Sequence, residues 1–310
     1  MNPANPTFSK ESSKRMAKRP LLTVVTVLGG LFCALLLFGL LVWLASGEGF
    51  LPGGGRIARV DIKGPILDSD HTIELLKAYA KDDRVKAIVV RLDSPGGEVA
   101  PSQEIYGQIR TIRKAGKLVV ASMGGIAASG AYYIACATEK IYANPGTITG
   151  SIGVIAQFPN VQELVAKVGL KVATIKSGEH KDIGSPFREL SPKERKLLQG
   201  VIDDVYQQFL DAVIEGRNLD PKEVRRIADG RIFSGRQAKA MGLVDELGTL
   251  EEAIAATAKA VGIEGEPTVV REEPGLFWWV KYLQSLVSAR LPVAMYWIAP
   301  YFSLQYRWLY

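Results

Sequence analysis

From Leu21 to Ala45 the sequence runs LLTVVTVLGGLFCALLLFGLLVWLA, a stretch with no charged residue. As a helix it is long enough to cross a hydrocarbon core of about 30 Å. Lys10, Lys14, Arg15, Lys18 and Arg19 precede it, opposed only by Glu11. Basic residues stay on the cytoplasmic side. The reading is a cytoplasmic N-terminus (1–20), a transmembrane anchor (21–45) and everything beyond it exported. The run exceeds the apolar core of a signal peptide, about 7–15 residues, and no A-x-A site follows Trp43. An uncleaved anchor is therefore expected, with late cleavage near Ser46 as the alternative. Lipid attachment at Cys33 does not fit, because bulky Leu31 and Phe32 stand just before it.

The net charge of +6 owes much to this basic cluster. With no basic stripe elsewhere it reads as a topology signal, and no nucleic-acid partner is expected. Cys33 and Cys136 lie in separate apolar segments, and the two histidines, His71 and His180, are far apart in sequence. The composition points to no metal site and no disulfide.

Residues 46–55 form a Gly-rich linker, after which apolar runs alternate with helical patterns. Strands are predicted at Ile57–Ile62, Ala87–Leu92, Leu118–Ser122, Lys140–Ala143 and Lys171–Ile175. Helices are predicted at Thr72–Lys81, Ser102–Lys114, Ser129–Ala137 and Val161–Val168. This alternation implies an α/β domain with a largely parallel sheet, here bounded at 56–265. SPKE (Ser191–Glu194) starts a helix with Ser at the N-cap, Pro at N1 and Glu at N3, expected to stop before Gly216. The segment 266–310 is rich in aromatic residues. From Gly275 onward it carries only Lys281, Arg290 and Arg307 as charges, so it suits packing on the domain or on a neighbouring subunit, or a membrane interface.

Three stretches carry the chemistry. In RLDSPGGEV (Arg91–Val99) a strand ends in two glycines, which let backbone N–H groups face a cleft; alone, Pro-Gly-Gly is also just a turn. In ASMGGIAASGAYY a strand leads through small residues to a helix at Ser129. A serine there is ordinarily an N-cap. It is also where a nucleophile would meet the positive end of a helix, with the Gly130 N–H ready for an oxyanion. In IKSGEHKDIGSPFREL a polar loop offers His180 and Lys181, and spacing does not choose between them as the base. A loop lysine is normally just solvated.

Taken together, SPGG, MGGIAASGAYYIA, TGSIGVI, IKSGEHKDIGSP and DGRIFSGRQAKAMGLVDELG resemble the signal peptide peptidase A family across roughly residues 56–255, in the family's order and spacing. One motif set resembles its short, single-domain form. The resemblance implies a ClpP/crotonase-like α/β superhelix and a Ser-Lys dyad that works without metal or cofactor. Ser129 becomes the nucleophile and Lys181 the general base, with His180 as a neighbour. Gly97 and Gly130 supply the oxyanion N–H groups, and Ser151 orients the lysine. The resemblance also implies a homo-oligomeric ring in which the dyad can span two protomers. Its substrates would be short apolar peptides such as signal-peptide remnants, and its place the bacterial cytoplasmic membrane. Three other readings compete: a related protease cutting intact membrane-protein segments, an inactive anchored assembly module, and an acyl-CoA enzyme of the same superfamily. Acyl-CoA enzymes typically lack both a Ser-Lys pair and an anchor.

Overall fold

The computed structural model describes residues 18–45, 55–272 and 305–307, and the side chains of the first segment only over 28–41. The predicted N-terminal tail up to residue 17, linker residues 46–54 and most of the aromatic segment lie outside the described residues. Met1–Gly53 and Gly54–Tyr310 form two separate units. Among the described residues the first holds helix α1 (Lys18–Ala45), whose residues 28–41 are exposed throughout, leucines and phenylalanines included. Among the described side chains, no helix is long and apolar enough to cross a membrane.

The second unit is built on an eight-stranded sheet. Its central strands are β1 (Arg56–Lys63), β2 (Val85–Ser94) and β4 (Leu118–Ala128), all parallel. In β2, Ala87 and Val89 pack on one face and Ile88, Val90 and Leu92 on the other, every one of them fully buried. Burial on both faces explains why these strands read as unbroken apolar runs. Each such aliphatic side chain contributes about 1.5–3 kcal/mol. One face is covered by α2 (Asp70–Lys81), α3 (Val99–Lys114) and α4 (Gly130–Ala135), the other by α9 (Leu250–Ala260).

Strand β4 is longer than its predicted end at Ser122 because it changes partner part-way. Val120–Met123 pair with β5 (Lys140–Ala143), and Ile126–Ala128 pair with β6 (Ile148–Gly150). The intervening Gly124-Gly125 concealed this continuation in the sequence. Strand β3 (Gly96–Glu98) lies between β2 and α3, while β7 (Ile232–Ser234) and β8 (Glu246–Leu247) extend the sheet beside β6 and β5. Strand β9 (Thr268–Arg271) pairs with β1, so the sheet takes in residues beyond 265.

Two local expectations are corrected. Lys171–Ile175 forms no strand: Leu170, Val172 and Ile175 are exposed, and no described strand borders them. Its apolar alternation satisfies the pattern of a strand without a partner to complete the ladder. The helix from Pro192, α6 (Pro192–Arg217), runs past Gly216 and ends on left-handed Asn218. Gly216 is there for packing, since a Cβ would collide with the Cys136 carbonyl at the end of α4. The helix start is as read: Ser191 and Glu194 form a reciprocal capping box. Cys136 is fully buried at this junction, and burial pushes its thiol up to about 12.

Candidate active site

The sheet register assembles the candidate residues. Ser94 at the end of β2 is paired with Ala127 of β4, and Ala128 is paired with Gly150 of β6. Ser129 and Ser151 thus emerge side by side, each one residue past a paired position. Gly97 and Gly130 each lie three residues beyond the Ser94–Ala127 pair, and β3 packs against α4. Ser129 N–H donates to the Gly150 carbonyl at 2.8 Å, and Ser151 N–H donates to the Arg231 carbonyl at 2.8 Å.

Ser129 occupies the N-cap position of α4 without capping it. Its backbone sits at φ 54°, ψ −117°, and its side chain makes no cap hydrogen bond. The Oγ is buried with no hydrogen-bond partner among the described residues. A buried hydroxyl of this kind costs about 1–3 kcal/mol, and a non-glycine residue held at positive φ costs a similar amount. Ser151, at φ 51°, is the second of three described non-glycine residues with positive φ. The two candidate serines thus account for most of that strain. The N-cap reading of Ser129 is overturned by this geometry.

Gly97 cannot be another residue. A Cβ there would overlap the backbone of Ile66, which bridges to Gly97 from the loop after β1. A cleft of about 460 Å³ opens beside Ser151, lined among others by Val154, Ile155, Asp203, Tyr206 and Asp229. Among the described residues, no three His, Cys, Asp or Glu side chains gather as metal ligands would.

Neither candidate base meets Ser129 within the chain. Lys181 is exposed, and its Nζ makes no hydrogen bond or ion pair among the described residues. His180 Nδ1 is buried with no partner among the described residues, while its Nε2 lies 3.6 Å from Glu179. The sheet register therefore brings Gly97, Ser129, Gly130 and Ser151 to the same end of the sheet, and among the described residues Lys181 makes no hydrogen bond to the Ser129 hydroxyl.

What the loop does have is an anchor that the sequence did not reveal. Arg188 donates to both oxygens of Asp182, at 2.9 Å each, and to Glu194 at 2.5 and 2.8 Å. Lys176 donates to Asp182 at 2.6 Å. Asp182, beside Lys181, thus serves as a clamp that ties the loop to the start of α6. Arg188 and then Lys176 hold the Asp182 carboxyl well below the usual range. Arg188 and then the Ser191 N–H bring Glu194 down to about 2. Both are lowered on folding, so the clamp is complete above the ordinary carboxylate range and lost as pH falls towards 2. Protection of the amides across residues 176–190, taken relative to intrinsic exchange at each pH, is expected to fall over that window while the β2 core stays protected. Protection that does not change with pH would show that the clamp does not hold the loop.

Against known proteins, residues 111–264 match the model described as peptidase family S49, and residues 59–148 match the Clp protease model. A Synechocystis protein named "Putative protease" is 47% identical over 211 residues, covering 67% of this chain and 76% of that protein. The chain belongs to peptidase family S49. A second protein of the same name, from Methanocaldococcus jannaschii, is 37% identical over 79% of this chain and 84% of its own length. One from Enterococcus faecium, named "Putative signal peptide peptidase SppA", is 36% identical over 64% of this chain and 62% of its own. This S49 chain is a serine protease of the signal peptide peptidase A type with a ClpP-like α/β domain.

Proposed function

We propose that this S49 protease is a membrane-anchored peptidase in which Ser129 is the nucleophile and Lys181, contributed by a neighbouring copy, is the general base. The observation that carries the reading is Ser129 at the start of α4: its backbone is strained, and its hydroxyl is buried with no hydrogen-bond partner among the described residues. Folding alone gains nothing from such a group, whereas a nucleophile waiting for its base needs it free. The cleft beside Ser151 supports the placement of the lysine, because it gives a side chain entering from outside a way to the serine that would orient it.

In this mechanism the free amine of Lys181 takes the Ser129 proton as Oγ attacks a peptide carbonyl. The Gly97 and Gly130 N–H groups receive the oxyanion, each worth about 3 kcal/mol in the transition state. The resulting ammonium protonates the leaving amine, and water then releases the acyl group by the same route. Ser151 accepts a hydrogen bond from the lysine and fixes its direction. The uncharged run Leu21–Ala45, apolar on every face, needs a bilayer around it, and its basic flank sets the N-terminus in the cytoplasm. The protease domain then faces the other side of a bacterial cytoplasmic membrane. The substrates are short, unfolded apolar peptides, signal-peptide remnants among them.

A peptide library digested by the detergent-solubilised full chain tests the substrate class. Cleavage after small or aliphatic residues is expected. A preference for large or charged residues would refute the proposed specificity.

A further inference from the structure

Strand β3 carries Gly97, yet it stands outside the eight-stranded sheet, so the ladders that fix Ser129 do not fix it. Local bonds frame it instead. The Gly96 carbonyl accepts from Ile66 N–H at 2.9 Å, and Glu98 N–H donates to the Ile66 carbonyl at 2.7 Å. Two side chains add to this frame. The Ser94 Oγ accepts from Gly96 N–H at 3.1 Å, and the Ser102 Oγ donates to the Glu98 carbonyl at 2.8 Å. Both serines are fully buried.

The two hydroxyls are not equivalent. A peptide unit is planar, so the Gly97 N–H and the Gly96 carbonyl turn together. The unit before it, which ends in the Gly96 N–H, is the one that Ser94 holds. Between the two planes lies Gly96 itself, at φ 95°, a region that glycine enters freely and other residues rarely do. Ser94 therefore braces the soft joint next to the Gly97 N–H. Ser102 acts two planes further on. There the Glu98 carbonyl, at the N-cap of α3, also accepts the first backbone bond of that helix.

We propose that Ser94 is a positioning residue for the oxyanion hole. Its hydroxyl locks the peptide plane before Gly96 and so keeps the Gly97 N–H aimed at the developing oxyanion. The inference rests on the reading of Gly97 as an oxyanion donor and Ser129 as the nucleophile. Losing such a donor outright costs about 10²–10³ in kcat, and a donor left in place but poorly aimed forfeits part of that. Ground-state binding does not use the oxyanion, so KM is expected to hold.

Ser94→Ala and Ser102→Ala, made in the full chain, test this as a matched pair. Each deletes one buried hydroxyl and one hydrogen bond to β3. Against a short apolar fluorogenic peptide, Ser94→Ala is expected to lower kcat by about ten- to a hundredfold with KM within about twofold. Ser102→Ala is expected to keep kcat within about threefold. A peptide aldehyde supplies the second readout. The serine O–H adds across its carbonyl, leaving the former carbonyl oxygen against the same N–H groups. Its affinity is expected to fall in Ser94→Ala by about the factor lost in kcat, and to hold in Ser102→Ala. Should Ser94→Ala fail to fold, Ser94→Cys, close in size but a weak acceptor, carries the same comparison. Equal losses of kcat in the two alanine variants would make Ser94 an ordinary structural bond and overturn the proposal. So would unchanged kcat or unchanged aldehyde affinity in Ser94→Ala. Activity surviving in Ser129→Ala, run alongside, brings down the functional reading itself. A Ser129-dependent enzyme indifferent to Ser94→Ala brings down the positioning role alone.

Discussion

Ser129→Ala is expected to lower peptide hydrolysis by at least about 10⁴-fold, because losing a nucleophile removes the covalent route and leaves only oxyanion and binding effects. The same substitution is expected to leave the melting temperature unchanged or slightly raised. The hydroxyl is buried without a partner among the described residues, so its removal relieves a desolvation cost and breaks no hydrogen bond to them. The backbone bonds that hold the turn, Ser129 N–H to Gly150 and Tyr133 N–H to Ser129, both survive. Ser129→Gly extends the argument: it should lose the same activity and gain stability of about 1 kcal/mol or more by relaxing the positive φ. Calorimetry beside a fluorogenic peptide assay separates the two effects. Activity retained in Ser129→Ala would end the nucleophile assignment, and a large fall in stability would show that the residue is a structural cap after all.

Much of this architecture could be read before any coordinates. The central strands announced themselves because both faces are buried, and SPKE marked the start of α6 through a capping box whose spacing is fixed by helix geometry. Proximity of the site residues followed in part from pattern, since SPGG and GGIAASG each end a parallel strand. What remained hidden was whatever depends on a partner distant in sequence. Gly216 looked like a stop, because nothing local shows that Cys136 will press against it. Lys171–Ile175 alternates like a strand, yet pairing depends on a neighbour that the sequence does not name. The strained φ of Ser129 is invisible in a residue type that rarely adopts it. Arg188 carried no motif, and its importance comes from the two carboxylates the fold brings to its guanidinium.

Mixing Ser129→Ala with Lys181→Ala protomers is expected to restore activity that each variant lacks alone. Lys181→Ala should be inactive without being unstable, since its Nζ makes no hydrogen bond or ion pair to lose among the described residues. The loop's hold on α6 runs through Asp182, Arg188 and Glu194 instead. If the base comes from the adjacent copy in a cyclic assembly, each site draws Ser129 from one chain and Lys181 from the next. Random mixing in equal amounts then leaves about a quarter of the sites with both groups intact, so activity should recover to about a quarter of wild type. A dyad closed within one chain gives no such recovery, because every chain then carries one defect at its own site. Dilution in detergent followed by reassociation allows subunits to exchange, and isotope-labelled protomers verify that they have. No recovery after verified exchange would place Lys181 beside Ser129 of the same chain, which requires the 176–190 loop to move within the protomer. Full activity in Lys181→Ala alone would turn the search for the base to His180, whose Nδ1 is buried and has no partner among the described residues.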